Sequence, residues 1–365
     1  MQLMYKNNRR PAVTFKRCLH PIKSVRIFAV AIILLLLLSL KKLTRKSPQT
    51  ILPMEALRQG MEAKRVSKLS HRPHVLRLSN PKQQPILITC ANYKGFNLFA
   101  HFCETIHTAI HAGWEVHVLG WAALHIFPSR AKFAKIPTLI PFLKTLPPDQ
   151  IFLFMDAYDV LVMGGPEEAK QKFLQASSAY QADIIIGAEK NCYPFTLDPK
   201  YRHYLCHENY PQAIPVNNPW RYLNAGVWMG YADTAIQFLE GMMMIDKLPG
   251  LVRTDGDDQA HFHYAFMSGK YSISLDYNNS LFAAMGSLKK DLVFDYKLRR
   301  WRSQRFGTFP VTLHFNGNKS AYFDFGNPLF SIIGEIGNYN NITGAALESV
   351  HGVNFDRVCK KGWIV

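Results

Sequence analysis

The sequence predicts an α/β fold with a mostly parallel central sheet, and three observations predict it. Apolar runs of strand length alternate with stretches whose apolar residues recur at helical spacing. Their order from residue 85 to 189 is β-α-β-α-β-α-β, the pattern of a parallel sheet covered by helices on both faces. One run, "IFLFMDAYDVLVMG" (151–164), carries two aspartates to the carboxyl end of a strand, where ligands of such sheets bind.

Each element has its own signature. "PILITCA" (85–91) is a short buried strand. Residues 95–112 place Phe99, Phe102, Cys103, Ile106, Ala109 and Ile110 on one helical face. "WEVHVLGW" (114–121) is a second strand, and 132–146 a helix despite Pro137 and Pro141. Residues 151–164 form the third strand. "PEEAKQKFLQASSAY" (166–180) is a helix whose Pro166 and two glutamates suit its start. "ADIIIGAE" (182–189) is the fourth strand.

The chain has 365 residues and a formal net charge of +17, which invites a nucleic-acid reading. The distribution argues against it. Residues 1–54 hold eleven Lys and Arg and no acid, so the remainder carries 43 − 11 = 32 basic residues against 26 acidic ones. The excess belongs to the N-terminus, and no nucleic-acid partner is expected. "IFAVAIILLLLLSL" (27–40), flanked by Arg26, Lys41 and Lys42, reads as a short retained signal-anchor with the basic tail 1–26 cytoplasmic. A cleaved signal peptide is the alternative. The basic, polar residues 41–84 read as a stem, 85–335 as the folded domain and 336–365 as a C-terminal extension.

This organisation places the body in the lumen of the Golgi or endoplasmic reticulum, on a single-pass type II anchor. Cys192 and Cys206 are the most plausible local disulfide there, and Cys90, within an apolar strand, the best free thiol. Sequons stand at Asn278, Asn318 and Asn341.

No GxGxxG follows the first strand and no GxxxxGK[ST] occurs, so the phosphate cradles of dinucleotide dehydrogenases and P-loop enzymes are missing. Asp156 and Asp159 offer another device. Buried carboxylates are costly unless paired or bound to a cation. Two of them three residues apart can converge on Mg²⁺ or Mn²⁺, which would neutralise a diphosphate. The plain alternative is an aspartate capping the turn after the strand.

These residues resemble the glycosyltransferase domain of the procollagen lysyl hydroxylases, akin to the collagen galactosyltransferases. "FMDAYDVLV" is similar to that domain's metal-binding strand, and "ITCANYKGFNLFAHF" with "VLGW" to its first β-α-β unit. "ADIIIGAEKNCYP", "YLNAGVWMGYA", "DGDDQAHFHY", "SLDYNNSLF" and "VTLHFNGN" follow in the same order, from residue 86 to about 330. The resemblance implies a GT-A type fold, a UDP-sugar donor (galactose or glucose), a Mn²⁺ ion with Mg²⁺ as the substitute, and a protein or glycan hydroxyl as acceptor. It implies Asp156, Asp159 and His314 as metal ligands and Asp257 and Asp258 as acids near the transferred sugar. Thr89 and Ala91 would lie beside the uridine, and Lys135 would touch the diphosphate. Asn224, Gly226, Tyr193, Asn316 and Gly317 would line the donor. Several have a plainer role open to them: a helix start for Asp257 and Asp258, tight strand packing for Gly226, ordinary packing for Tyr193, a strand-end hydrogen bond for His314. The dioxygenase part of those enzymes has no counterpart here, so hydroxylation is not implied. Two competing functions remain: an inactive sugar- or partner-binding module of the same fold, and a metal-dependent phosphoesterase, which would want a richer cluster of histidines and acids.

Overall fold

The structure, a computed structural model, describes residues 83–91, 99–120, 132–193, 217–245, 258–287 and 291–317, with Cys206, His207, Tyr210, Pro211 and Gly326. The apolar run 27–40, the stem up to residue 82, the cysteines Cys18 and Cys359, the sequons at Asn318 and Asn341, and Asp257 lie outside the described residues. Among the described residues no helix is long and apolar enough to cross a membrane.

The chain opens with β1 (Ile86–Cys90), α1 (Phe99–His111) and β2 (Val116–Leu119). A 3₁₀ turn at Lys132–Ala134 then leads into α2 (Lys135–Leu143). Next come β3 (Ile151–Asp156), β4 (Val160–Val162), α3 (Pro166–Tyr180) and β5 (Ile184–Glu189). The second half holds β6 (Tyr222–Tyr231), α4 (Ala232–Ile245), α5 (Asp258–Met267), β7 (Ile273–Asp276), β8 (Phe282–Ala284), β9 (Leu292–Asp295), β10 (Arg300–Ser303) and β11 (Thr312–His314). Helix α3 spans the expected 166–180. Pro166 stands in its first turn with Glu167 and Glu168, and Gln181 closes it in the left-handed conformation, its N–H bonded to Ser177 O. Helix α2 is shorter than the expected 132–146 and ends two residues after Pro141, which cannot donate to the helical ladder.

The large sheet has the order β2-β1-β3-β6-β5-β7. Five of its strands run parallel, but β6 runs antiparallel between β3 and β5. The fourth strand of the sequence therefore does not lie beside the third, as a simple parallel sheet would have it. Strand β6 is ten residues long and buried throughout, which suits a central strand better than an edge. The period-2 pattern of β3 serves two separate cores. Phe152 and Phe154 pack with Trp228, Phe238 and Phe262 under α2, α4 and α5. Leu153 and Met155 pack with Phe102, Ile106 and Phe173 under α1 and α3. Each such fully buried side chain contributes roughly 1.5–3 kcal/mol.

The stretch 151–164 is not one strand. It bends at Ala157–Asp159, and β4 leaves the large sheet to join a small one of order β4-β11-β8. There Val160 pairs with His314 and His314 with Ala284. Phe315 N–H donates to Asp159 O at 2.8 Å, fixing the end of β11 against the bend. The carboxyl end of β3 is thus held beside the carboxyl end of β11.

Candidate metal and donor site

Asp156, Asp159 and His314 meet at this junction. One ligand atom from each lies within 4.8 Å of the others. His314 Nε2 stands 3.8 Å from Asp156 Oδ2 and 3.6 Å from Asp159 Oδ1, too far for good hydrogen bonds but close enough to share a cation. The donor set, two carboxylates and one imidazole, fits a divalent ion such as Mg²⁺ or Mn²⁺. The His314 side chain is 4% exposed while Asp156 and Asp159 are 27% and 19% exposed, so the set opens on the carboxylate side. Burial tends to lower the proton affinity of His314, but Asp159, Asp156 and Glu189 outweigh it and raise its pKa. The same crowding by anions that favours an imidazolium would favour a metal cation.

Behind the ligand lies a hydrogen-bonded shell. His314 Nδ1 is 2.7 Å from Asn224 Oδ1, which also accepts Gly226 N–H at 3.1 Å. An oxygen that already accepts one N–H can only accept from the ring as well, so the bond assigns the proton to Nδ1 and leaves the Nε2 lone pair facing the two aspartates. Gly226 is there for contact. A Cβ at this position would overlap the His314 ring, with Nε2 only 2.7 Å away. Glycine here leaves room for the ring of the candidate ligand itself.

Lys135, at the start of α2, bridges two acids. Its Nζ lies 2.6 Å from Asp156 Oδ1 and 2.6 Å from Asp258 Oδ2. Burial works against its charge, yet the two carboxylates raise its pKa. Burial raises the Asp156 carboxyl; Lys135 opposes this, and neighbouring Asp159 and Asp258 add to the rise. For Asp258 burial also pushes upward, but Lys135 and Lys132 win and hold the carboxyl below its usual range. Asp258 opens α5, as a helix-start role requires, but its side chain is only 7% exposed. A solvated helix start is thus excluded for Asp258.

The remaining expected residues are placed as follows. Thr89 and Ala91 lie at the end of β1, both buried, and the Thr89 hydroxyl donates to Met155 O at 2.8 Å. That hydroxyl braces β1 against β3. Tyr193 is 37% exposed beside the site, with Lys132 Nζ 5.9 Å from its ring centroid. Asn316 Oδ1 accepts Gly286 N–H at 2.9 Å, and Gly317 turns the chain with φ +72°, a conformation that favours glycine.

Sequence reasoning passed over Glu189 and Gln259. Glu189 is 4% exposed at the carboxyl end of β5 and accepts from Asn224 Nδ2 (3.1 Å), Gln259 Nε2 (2.9 Å) and Asn316 Nδ2 (2.9 Å). Gln259 also donates to Tyr193 O at 3.2 Å and accepts Ala225 N–H at 3.4 Å. The signal for Glu189 was present: "ADIIIGAE" is an apolar strand ending in a carboxylate, as "IFLFMD" is. The expected disulfide is present between Cys192 and Cys206, and Cys90 is free and buried; Cys103 is also disulfide-bonded.

A mixed α/β sheet with a cation-ready Asp-Asp-His set at its carboxyl edge fits a glycosyltransferase domain. The family model described as the PLOD GT domain matches residues 86–331, more than half of the chain, and the chain belongs to that family. Among curated proteins, "Multifunctional procollagen lysine hydroxylase and glycosyltransferase LH3" of Homo sapiens is 29% identical over 175 residues, 46% of this chain and 21% of that protein. "Procollagen-lysine,2-oxoglutarate 5-dioxygenase 1" of Gallus gallus is 29% identical over 175 residues, again 46% of this chain and 21% of the other. "Uncharacterized protein R699" of Acanthamoeba polyphaga mimivirus is 29% identical over 185 residues, 50% of this chain and 35% of that one. The match thus spans between about a fifth and a third of these relatives' length. Among solved structures, the bifunctional glycosyltransferase WbbM overlaps 68% of this chain and 50% of its own at 12% identity, with a TM-score of 0.40.

Proposed function

We propose that this chain is a GT-A type, Mn²⁺-dependent glycosyltransferase that moves a hexose, galactose or glucose, from a UDP-sugar to a hydroxyl of a protein or glycan acceptor. The observation that carries this reading is the convergence of Asp156, Asp159 and His314 within one family of glycosyltransferase domains. Asp156 and Asp159 would bind the ion through oxygen and His314 through Nε2, with Mg²⁺ as the substitute. The bound ion would neutralise the charge that develops on the diphosphate as it leaves.

The chain's own groups do the rest. Lys135 adds a fixed positive charge beside Asp156, at the edge where the diphosphate would lie. Asp258 stays ionised because Lys135 and Lys132 lower its pKa, so it is a weak base but a strong acceptor for a sugar hydroxyl. Asp257 precedes it and would share that role. Asn224, Gly226, Asn316 and Gly317 shape the floor under the sugar, and the exposed face of Tyr193 would stack on it. Thr89 and Ala91 present the end of β1 to the base. The Cys192–Cys206 disulfide supports an oxidising lumenal compartment. The run 27–40 would hold the enzyme there as a type II protein of the Golgi or endoplasmic reticulum membrane. A donor screen decides the matter. UDP release from UDP-galactose and UDP-glucose is measured in Mn²⁺, in Mg²⁺ and in EDTA, with candidate acceptors present. Release that is unaffected by EDTA would end the metal assignment.

A further inference from the structure

Glu189 is a buried carboxylate whose three side-chain partners are all neutral amides: Asn224, Gln259 and Asn316. The mechanism above gives it no role as a ligand. Its position is nevertheless singular. Its partners sit on β6, at the start of α5 and just after β11, and Glu189 itself ends β5. Burial raises its pKa and the three amide donors oppose the rise; facing three N–H donors, the carboxylate acts only as an acceptor. It therefore dictates which end of each amide turns toward it.

For Asn224 the consequence is chemical. Its NH₂ must face Glu189 Oε1, so its oxygen must face His314 Nδ1 and Gly226 N–H. Flipped, the same amide would donate to Nδ1, the proton would move to Nε2, and the imidazole could no longer ligate through that atom. The local backbone is built to keep this contact. The β5–β6 register shifts between Ile186 and Gly187, and the shift brings Asn224 opposite Gly187, two residues from Glu189. Gly187 also leaves β6 room to approach, since a Cβ there would stand 3.0 Å from Val227 Cγ2.

We infer that Glu189 is a positioning residue that sets the tautomer of His314 through the Asn224 amide. This deepens the metal-site reading and rests on it for its purpose, but its structural content stands without any metal. Glu189→Gln puts an amide where the carboxylate was and removes one of the two contacts that orient Asn224, leaving Gly226 N–H to hold the oxygen alone. Asn224→Asp in the same background supplies a group with no donor end, so orientation ceases to matter and the new carboxylate accepts from Nδ1 unaided. Long-range ¹⁵N NMR of the His314 ring, in metal-free protein at a pH where the ring is neutral, reads the tautomer directly. Nδ1–H is expected in the unmodified protein, a loss of Nδ1–H in Glu189→Gln, and its return in the double variant. Mn²⁺ titration should follow the same order, with affinity lowered about 10–100-fold in the single variant and largely restored in the double. An unchanged tautomer in Glu189→Gln overturns the proposal, as does a loss that the double variant fails to recover. If the unmodified protein binds no Mn²⁺, the metal reading fails on its own, while the tautomer series still decides the role of Glu189.

Discussion

Strands β3 and β5 are alike in sequence and unlike in fate. Both are runs of apolar residues in the large sheet, and both end in one acid, Asp156 and Glu189. Asp156 meets two further acids, a histidine and a lysine, and is partly open. Glu189 meets three amides and is closed. The difference teaches that a carboxylate at a strand end becomes a ligand or a brace according to the charge of what surrounds it. Excess anion calls for a cation; a ring of donors satisfies the charge in place.

The comparison breaks most directly at the open end. Asp156→Ala or Asp159→Ala should cut sugar transfer at least about 10²-fold. Mn²⁺ should restore chelated wild type but neither variant, with UDP release as the measurement. Wild-type turnover by either variant would make Asp156 as much a brace as Glu189.

Lys135 comes next. Lys135→Met leaves Asp156, Asp159 and Asp258 facing one another without their ammonium. Removing one partner of a buried ion pair costs about 3–5 kcal/mol. Thermal melting in EDTA should show that loss, and added Mn²⁺ should recover part of it. No loss in EDTA would mean that the three acids do not need a cation.

Acid tests a third titrating group, outside either end. Burial lowers the pKa of His263 to about 4, and its Nδ1 lies 3.0 Å from the Tyr210 hydroxyl, which itself accepts Leu223 N–H. The unfolded chain takes up a proton near pH 6.5 that the folded chain refuses until about pH 4. Stability is therefore full above pH 6.5 and lost as the pH falls toward 4, by roughly 2–4 kcal/mol for this one group. His263→Asn keeps a polar hydrogen-bonding group and does not titrate, so its melting temperature should fall less over that range. Parallel curves would show that His263 is not the acid-sensitive group.

The mildest expected effect is at Gly226. An added methyl forces the His314 ring aside, costing about 1–3 kcal/mol of stability. Calorimetry should show Mn²⁺ bound at least about tenfold more weakly. A Gly226→Ala variant with normal affinity would show that the ring has room to spare.

Much of this was legible in the residues. Helix α3 was readable to the residue because Pro166 and two glutamates mark its start. Asp156 and Asp159 were readable as two acids at the end of an apolar strand, whereas His314 stood out from the other histidines only through the resemblance. The insertion of β6 between β3 and β5 was not, because strand order is decided by packing across the whole sheet rather than by local pattern. The break at Ala157–Asp159 was hidden because apolar residues continue on both sides of it. The ion pair of Asp258 was not legible, because its partner, Lys135, lies far away in the chain and meets it only after folding.

The small sheet carries a consequence for how the chain is made. Strand β4 is synthesised early, yet its partner β11 is among the last described elements to appear, and β11 sits between β4 and β8. Until then "VLV" (160–162) is an apolar edge whose groups that face β11 lack their partners, the kind of surface that recruits wrong ones. Such late, distant pairing is slow. A ribosome-bound chain halted before residue 312 should therefore hold its first β-α-β units while leaving this edge open to chaperones, and release at full length should close it.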